Sequence, residues 1–76
     1  QEPADFLGKV LTVDRENKFS IIDLGEEAGV KIGDTFGVYR EDKKIANIEV
    51  IKTSKSVAAC DVTQETAPIE IGDTIK

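Results

Sequence analysis

Carboxylates are the most abundant groups in this chain that could do chemistry. Asp and Glu number 15 against ten Lys and Arg, and several invite reading as acid pairs. Asp14 shares a segment with Glu16, Glu26 adjoins Glu27, and Asp34 and Asp73 stand in matching contexts. Paired-acid hydrolysis needs two carboxyls held about 5 to 9 Å apart across a substrate cleft. A domain with four aromatic residues in all rarely builds such a cleft, and these acids read as solvated turn residues. Asp14-Arg15-Glu16-Asn17-Lys18 alternates oxygen ligands as a calcium loop does, but lacks the glycine and terminal bidentate Glu of an EF-hand.

Nucleophilic chemistry finds even less support. The chain has no histidine, hence neither the commonest general base nor the commonest zinc ligand. Cys60 is the single cysteine, so it has no intramolecular disulfide partner. It stands in the apolar run Val57-Ala58-Ala59-Cys60 and reads as a small buried hydrophobe. Ser20, Ser54 and Ser56 lack a His, and Lys55 could activate a neighbouring serine only if desolvated and oriented. Gly33 and Gly72 lack the Gly-rich spacing and following Lys-Ser/Thr of a phosphate loop. These residues therefore call for no catalytic group, no metal and no cofactor, and the chain is expected not to be an enzyme.

The elements that would position any site are strands. The apolar set favours Ile and Val, whose β-branching suits a pleated surface. At 76 residues there is room for one core. Strands are expected over about Lys9 to Val13, Lys18 to Leu24, Thr35 to Arg40, Ile45 to Lys52, Ser56 to Thr63 and near the C-terminus. Asp14–Asn17 forms a turn in which Asn17 can take a left-handed conformation. The second strand places Phe19 and Ile21 on one face and Ile22 and Leu24 on the other, with Phe19 and Phe36 read as core. Such two-sided coverage fits a sheet that curls on itself. Gly25–Gly29 allows one helical turn capped by Gly29. Glu41-Asp42-Lys43-Lys44 is a hairpin tip, and beyond it Ala46, Ile48 and Val50 alternate inward with Asn47 and Glu49 outward. The expected fold class is all-β: a small closed or partly open barrel of about six short, largely antiparallel strands.

An internal repeat supports that architecture. Val30-Lys31-Ile32-Gly33-Asp34-Thr35-Phe36 is matched by Ile69-Glu70-Ile71-Gly72-Asp73-Thr74-Ile75. Each is an apolar approach followed by a Gly-Asp turn into a strand. Gly29, Gly33, Asp34, Gly72 and Asp73 are thus structural turn residues, and the two turns should lie at related places on the barrel.

The opening residues 1–7 are polar, contain Pro3 and read as a linker, with 8–76 as a single domain. Methionine is absent, so Gln1 is not expected to be a native translation start: either a leader was removed or the chain is a piece excised from a larger protein. No apolar run approaches the roughly 18 residues that span a bilayer. The net charge is −5, and the lysines at 43, 44, 52 and 55 are diluted by acids, which disfavours nucleic acid.

Gly8-Lys9-Val10, Ile21-Ile22-Asp23-Leu24-Gly25, Gly29-Val30-Lys31-Ile32-Gly33-Asp34 and Phe36-Gly37-Val38-Tyr39-Arg40 together resemble the C-terminal β-barrel module of bacterial flagellar assembly protein T and related envelope proteins. More loosely they are similar to the barrels of rod-shape protein MreC. The resemblance spans about Phe6 to Lys76. It implies a non-catalytic structural or protein-interaction module, periplasmic or extracytoplasmic, packing against a protein partner or the rest of its own chain. Tyr39, Arg40, Lys43 and Lys44 are the candidate partner contacts, since Tyr and Arg are enriched at interface hot spots. A free strand edge would also allow homo-oligomers. The alternative is a KOW or translation-type barrel binding RNA or a ribosomal protein, which requires those four lysines to gather on one face.

Overall fold

Alternating β-branched residues do become strands, and the strands close on one another. A computed structural model describes residues 8–76, so the linker expected at 1–7 lies outside the described residues. Its strands are β1 (Gly8–Asp14), β2 (Phe19–Ile22), β3 (Thr35–Arg40), β4 (Lys43–Thr53), β5 (Ala58–Glu65) and β6 (Thr74–Ile75). They form a closed antiparallel barrel in the order β1-β2-β5-β4-β3-β6. Closure leaves no strand with a wholly unpaired side, which removes the free edge from the alternatives left by the sequence.

The ring has an internal pseudo-twofold. Exchanging β1 with β4, β2 with β5 and β3 with β6 reproduces every pairing. The registers agree residue by residue. Thr35 faces Glu49 and Phe36 faces Ile48, as Thr74 faces Lys9 and Ile75 faces Gly8. Ser20 faces Cys60 while Ile22 faces Ala58, so the axis passes between Ile21 and Ala59. On the far wall it passes between Gly37 and Lys76, which exchange two 3.0 Å backbone hydrogen bonds.

Inward residues fill the barrel: Val10, Ile22, Val38, Ile48, Val50, Cys60, Ile69 and Ile75 are each at most 1 % exposed. Full burial of each large aliphatic side chain contributes about 1.5–3 kcal/mol. Ala46, Ile48 and Val50 point inward as their alternation requires. Ile45 is also buried, because a register shift between Val38 and Tyr39 leaves it as an extra residue on β4. Its carbonyl then accepts Thr66 N (2.8 Å) and Thr66 Oγ1 (3.0 Å). Phe36 is in the core, but Phe19 is not. The inward positions of β2 are Ser20 and Ile22, which turns Phe19 to the half-buried outer face.

The turns also refine the sequence reading. Glu26–Ala28 makes one 3₁₀ turn, and Gly29 caps it in the left-handed region at φ 90°. Lys18, not Asn17, takes the left-handed position after β1 (φ 56°), because the Asn17 backbone amide and side chain both donate to Asp14. The β3–β4 tip is tighter than four residues. Glu41 and Asp42 alone turn the chain, both at positive φ as in a type I′ turn, and Lys43 and Lys44 begin β4.

Candidate interaction surface

Gly37 helps to form an open groove on the outer wall. It sits mid-strand in β3, where glycine marks a close approach by other groups. A Cβ there would lie 2.7 Å from the Tyr39 ring and 3.2 Å from the Lys44 side chain. Tyr39, two residues on and on the same face, therefore lays its ring over the Gly37 backbone. From the neighbouring β6 end, the Lys76 ammonium stands 4.9 Å from the ring centroid, within cation–π range. Thr35, Gly37, Tyr39, Lys44, Asn47 and Lys76 line an open groove of about 460 Å³. The arrangement offers a half-buried aromatic flanked by two ammonium groups.

Of the four candidate contacts, Tyr39 and Lys44 meet in this groove, whereas Lys43 is exposed at the start of β4 and does not line it. Arg40 points to another task. Its Nε donates to Asp73 Oδ1 (3.0 Å), and its Nη2 donates to Asp73 Oδ2 and the Pro68 carbonyl (each 2.8 Å). Such a fork ties β3 to the turn before β6. Lys76 was not singled out by the sequence, because the pairing that brings the last residue beside Tyr39 is purely tertiary. Gly37 carried a readable signal, a glycine inside a strand.

The repeated turns have one geometry. Gly33 and Gly72 lie at φ 97° and 95°. Asp34 Oδ2 accepts Lys31 N at 2.9 Å, and Asp73 Oδ2 accepts Glu70 N at 2.8 Å. Gly33 N donates to Val50 O on β4, and Gly72 N donates to Val10 O on β1. These two acids precede antiparallel partners and lie three residues on either side of the axis. At strand rise that separates them by on the order of 20 Å, too far for a carboxylate pair. Burial works against the Asp73 carboxylate, but the Arg40 bonds and the Glu70 amide outweigh it and hold Asp73 below its ordinary range.

The remaining reactive side chains are placed as follows. Cys60 is buried in the barrel; burial, with the Asp61 charge, pushes its thiol up to about 12, leaving it protonated at neutral pH. Ser54, Lys55 and Ser56 are exposed on the β4–β5 turn, so Lys55 is not desolvated. Asp14 is drawn into its own turn by Asn17. Among the described residues, no three His, Cys, Asp or Glu side chains gather as a metal-holding group. Lys43 and Lys44 begin β4, while Lys52 and Lys55 lie at and beyond its other end. The eight residue steps along the strand from Lys44 to Lys52 amount to about 26 Å, so the four lysines do not form one cluster. No protein-family model matches the chain, and no curated protein matches it.

Proposed function

We propose that this chain is a non-catalytic structural or protein-interaction module of a larger, bacterial envelope-associated protein, and that it binds an acidic protein segment through the Tyr39 groove. The observation carrying this reading is the Tyr39 ring, laid over Gly37 and flanked by Lys44 and Lys76. A ring already seated in the free protein loses little freedom on binding, and aromatic anchors of this kind dominate interface energetics. The two ammonium groups favour carboxylates on the partner. The envelope placement rests on the resemblance to flagellar assembly protein T and MreC modules, carried by the turn glycines and core positions.

Chemical-shift titration of the ¹⁵N-labelled chain with a Glu- and Asp-rich peptide tests the surface. Shifts centred on Gly37, Tyr39, Lys44 and Lys76, with affinity reduced at least about tenfold in Tyr39→Ala, are the expected result. No shift with the peptide, together with salt-sensitive binding of single-stranded RNA, would replace this reading with the RNA-binding alternative.

A further inference from the structure

The pseudo-twofold exchanges the two ends of the barrel, and the chain finishes them differently. Val13 pairs with Ser20 as Thr53 pairs with Ala58, so the β1–β2 turn corresponds to the β4–β5 turn. Two residues on from Val13 and Thr53, Arg15 corresponds to Lys55. Ile69 likewise corresponds to Val30, each buried just ahead of its Gly-Asp turn. At the β4–β5 end the chain plugs itself with the 3₁₀ turn. Glu26 N and Glu27 N donate to Ser54 O and Lys55 O (2.9 and 3.0 Å), and Glu26 Oε2 accepts Thr53 Oγ1 (3.0 Å). The plug thus brings carboxylates to the turn that carries Lys55.

At the β1–β2 end the corresponding segment turns away. Counting back from Ile69, Thr66 stands where Glu27 stands, yet Thr66 N and Ala67 N both donate to Ile45 O on β4 (2.8 and 3.3 Å). Between this segment and the β1–β2 turn lies a cavity of about 200 Å³, walled by Val13, Val62, Pro68 and Ile69 and lined also by Arg15 and Lys18. Ile69 is fully buried, and Val13 and Val62 are half-buried against the core. Two carboxylates share the lining, but both are engaged. Asp14 accepts Asn17 N (3.1 Å) and Nδ2 (3.0 Å), and Glu65 Oε2 accepts Ile69 N (3.3 Å). Arg15 and Lys18 have no ion-pair partner among the described residues.

We propose that this cavity binds a small branched aliphatic carboxylate, its apolar body against Val13, Val62 and Ile69 and its charge between Arg15 and Lys18. Volume sets the size. At about 30 Å³ per water-sized group, on the order of seven non-hydrogen atoms fit, which admits one side-chain-sized body and no peptide. Charge sets the sign. The acids of the lining are already hydrogen-bonded, the two cations are unpaired, and at the corresponding end the chain supplies carboxylates of its own. For a ligand of this size the expected Kd is on the order of 1 mM.

Chemical-shift titration of the ¹⁵N-labelled chain with isocaproate, isohexylamine and isohexanol, which share a carbon skeleton and differ in charge, tests the proposal. Isocaproate should shift the Val13, Arg15, Lys18, Val62 and Ile69 amides saturably and leave Gly37 and Tyr39 unmoved. The amine and the alcohol should each bind at least about fivefold more weakly. Arg15→Gln with Lys18→Gln, both on an exposed turn, should weaken isocaproate at least about fivefold, with circular dichroism checking the fold. Lys43→Gln, exposed and outside the lining, should leave binding unchanged. No saturable shift up to about 20 mM isocaproate overturns the proposal. So do an amine or alcohol that binds as tightly, shifts centred elsewhere on the barrel, and a double variant that binds like the wild type.

Discussion

Asp34 and Asp73 close the same turn, yet only Asp73 also receives a guanidinium. That difference predicts unequal consequences. Asp73→Asn should cost about 1–3 kcal/mol at neutral pH, whereas Asp34→Asn, which only weakens one exposed bond from an amide by removing the acceptor's charge, should cost about 1 kcal/mol or less. The folded-state pKa of Asp73 lies below its ordinary 3.8. Its contribution is therefore present above that value and is lost as pH falls through the lowered one. Urea denaturation at pH 7 and pH 2 should show the gap between wild type and Asp73→Asn closing at the acid end. Ser20 presents the opposite case. It is fully buried, and its Oγ finds no hydrogen-bond partner among the described residues. An unsatisfied buried hydroxyl costs about 1–3 kcal/mol, so Ser20→Ala should leave the urea midpoint unchanged or raise it.

At the scale of elements, two glycines separate backbone conformation from space. Gly33 has positive φ, but a Cβ there would meet nothing within 4 Å. Gly33→Ala should cost about 1–2 kcal/mol, the backbone penalty alone. Gly25 is extended at φ −139°, a conformation open to any residue. A Cβ there would nevertheless stand 2.5 Å from Val57 N and 2.6 Å from Ser54 O, where the 3₁₀ turn rests on the β4–β5 turn. Gly25→Ala should therefore abolish cooperative thermal unfolding while Gly33→Ala keeps it. The sequence reads Gly33 as a turn residue and Gly25 only as the start of a possible helical turn; it carries no sign of the crowding at Gly25, whose neighbours come from a segment about 30 residues away. The limits were similar elsewhere. β3 and the inward triplet of β4 followed from local alternation, whereas the burial of Ile45 depended on a bulge set by the partner strand. Phe19 reads as core from the sequence, whereas the strand as paired with β5 has Ser20 and Ile22 inside.

Across the whole molecule, closure rests on the two-residue strand β6, which pairs with both β1 and β3. Opening at that seam does not itself expose Cys60, which lies on β5 between β2 and β4. Its thiol, fully buried and raised to about 12, should react with a disulfide reagent at a rate that follows global unfolding. The labelling free energy should then match that from denaturant titration. A much faster rate would mean that β2, β4 and β5 part separately.

What the sequence determined by itself was local: the β-branched strands, the Gly-Asp turns with their repeat, the inward face of β4, and a cysteine in an apolar run. Each depends on side-chain type and spacing within a few residues, where sterics and alternation act directly. The tertiary structure decided ring closure, the seating of Tyr39 between Lys44 and Lys76, and the capture of Arg40 by Asp73. It also decided the division of four exposed apolar residues into two sets related by the pseudo-twofold. These depend on strand register between distant segments, which is selected by burial of the whole core and cannot be read from any one stretch of chain.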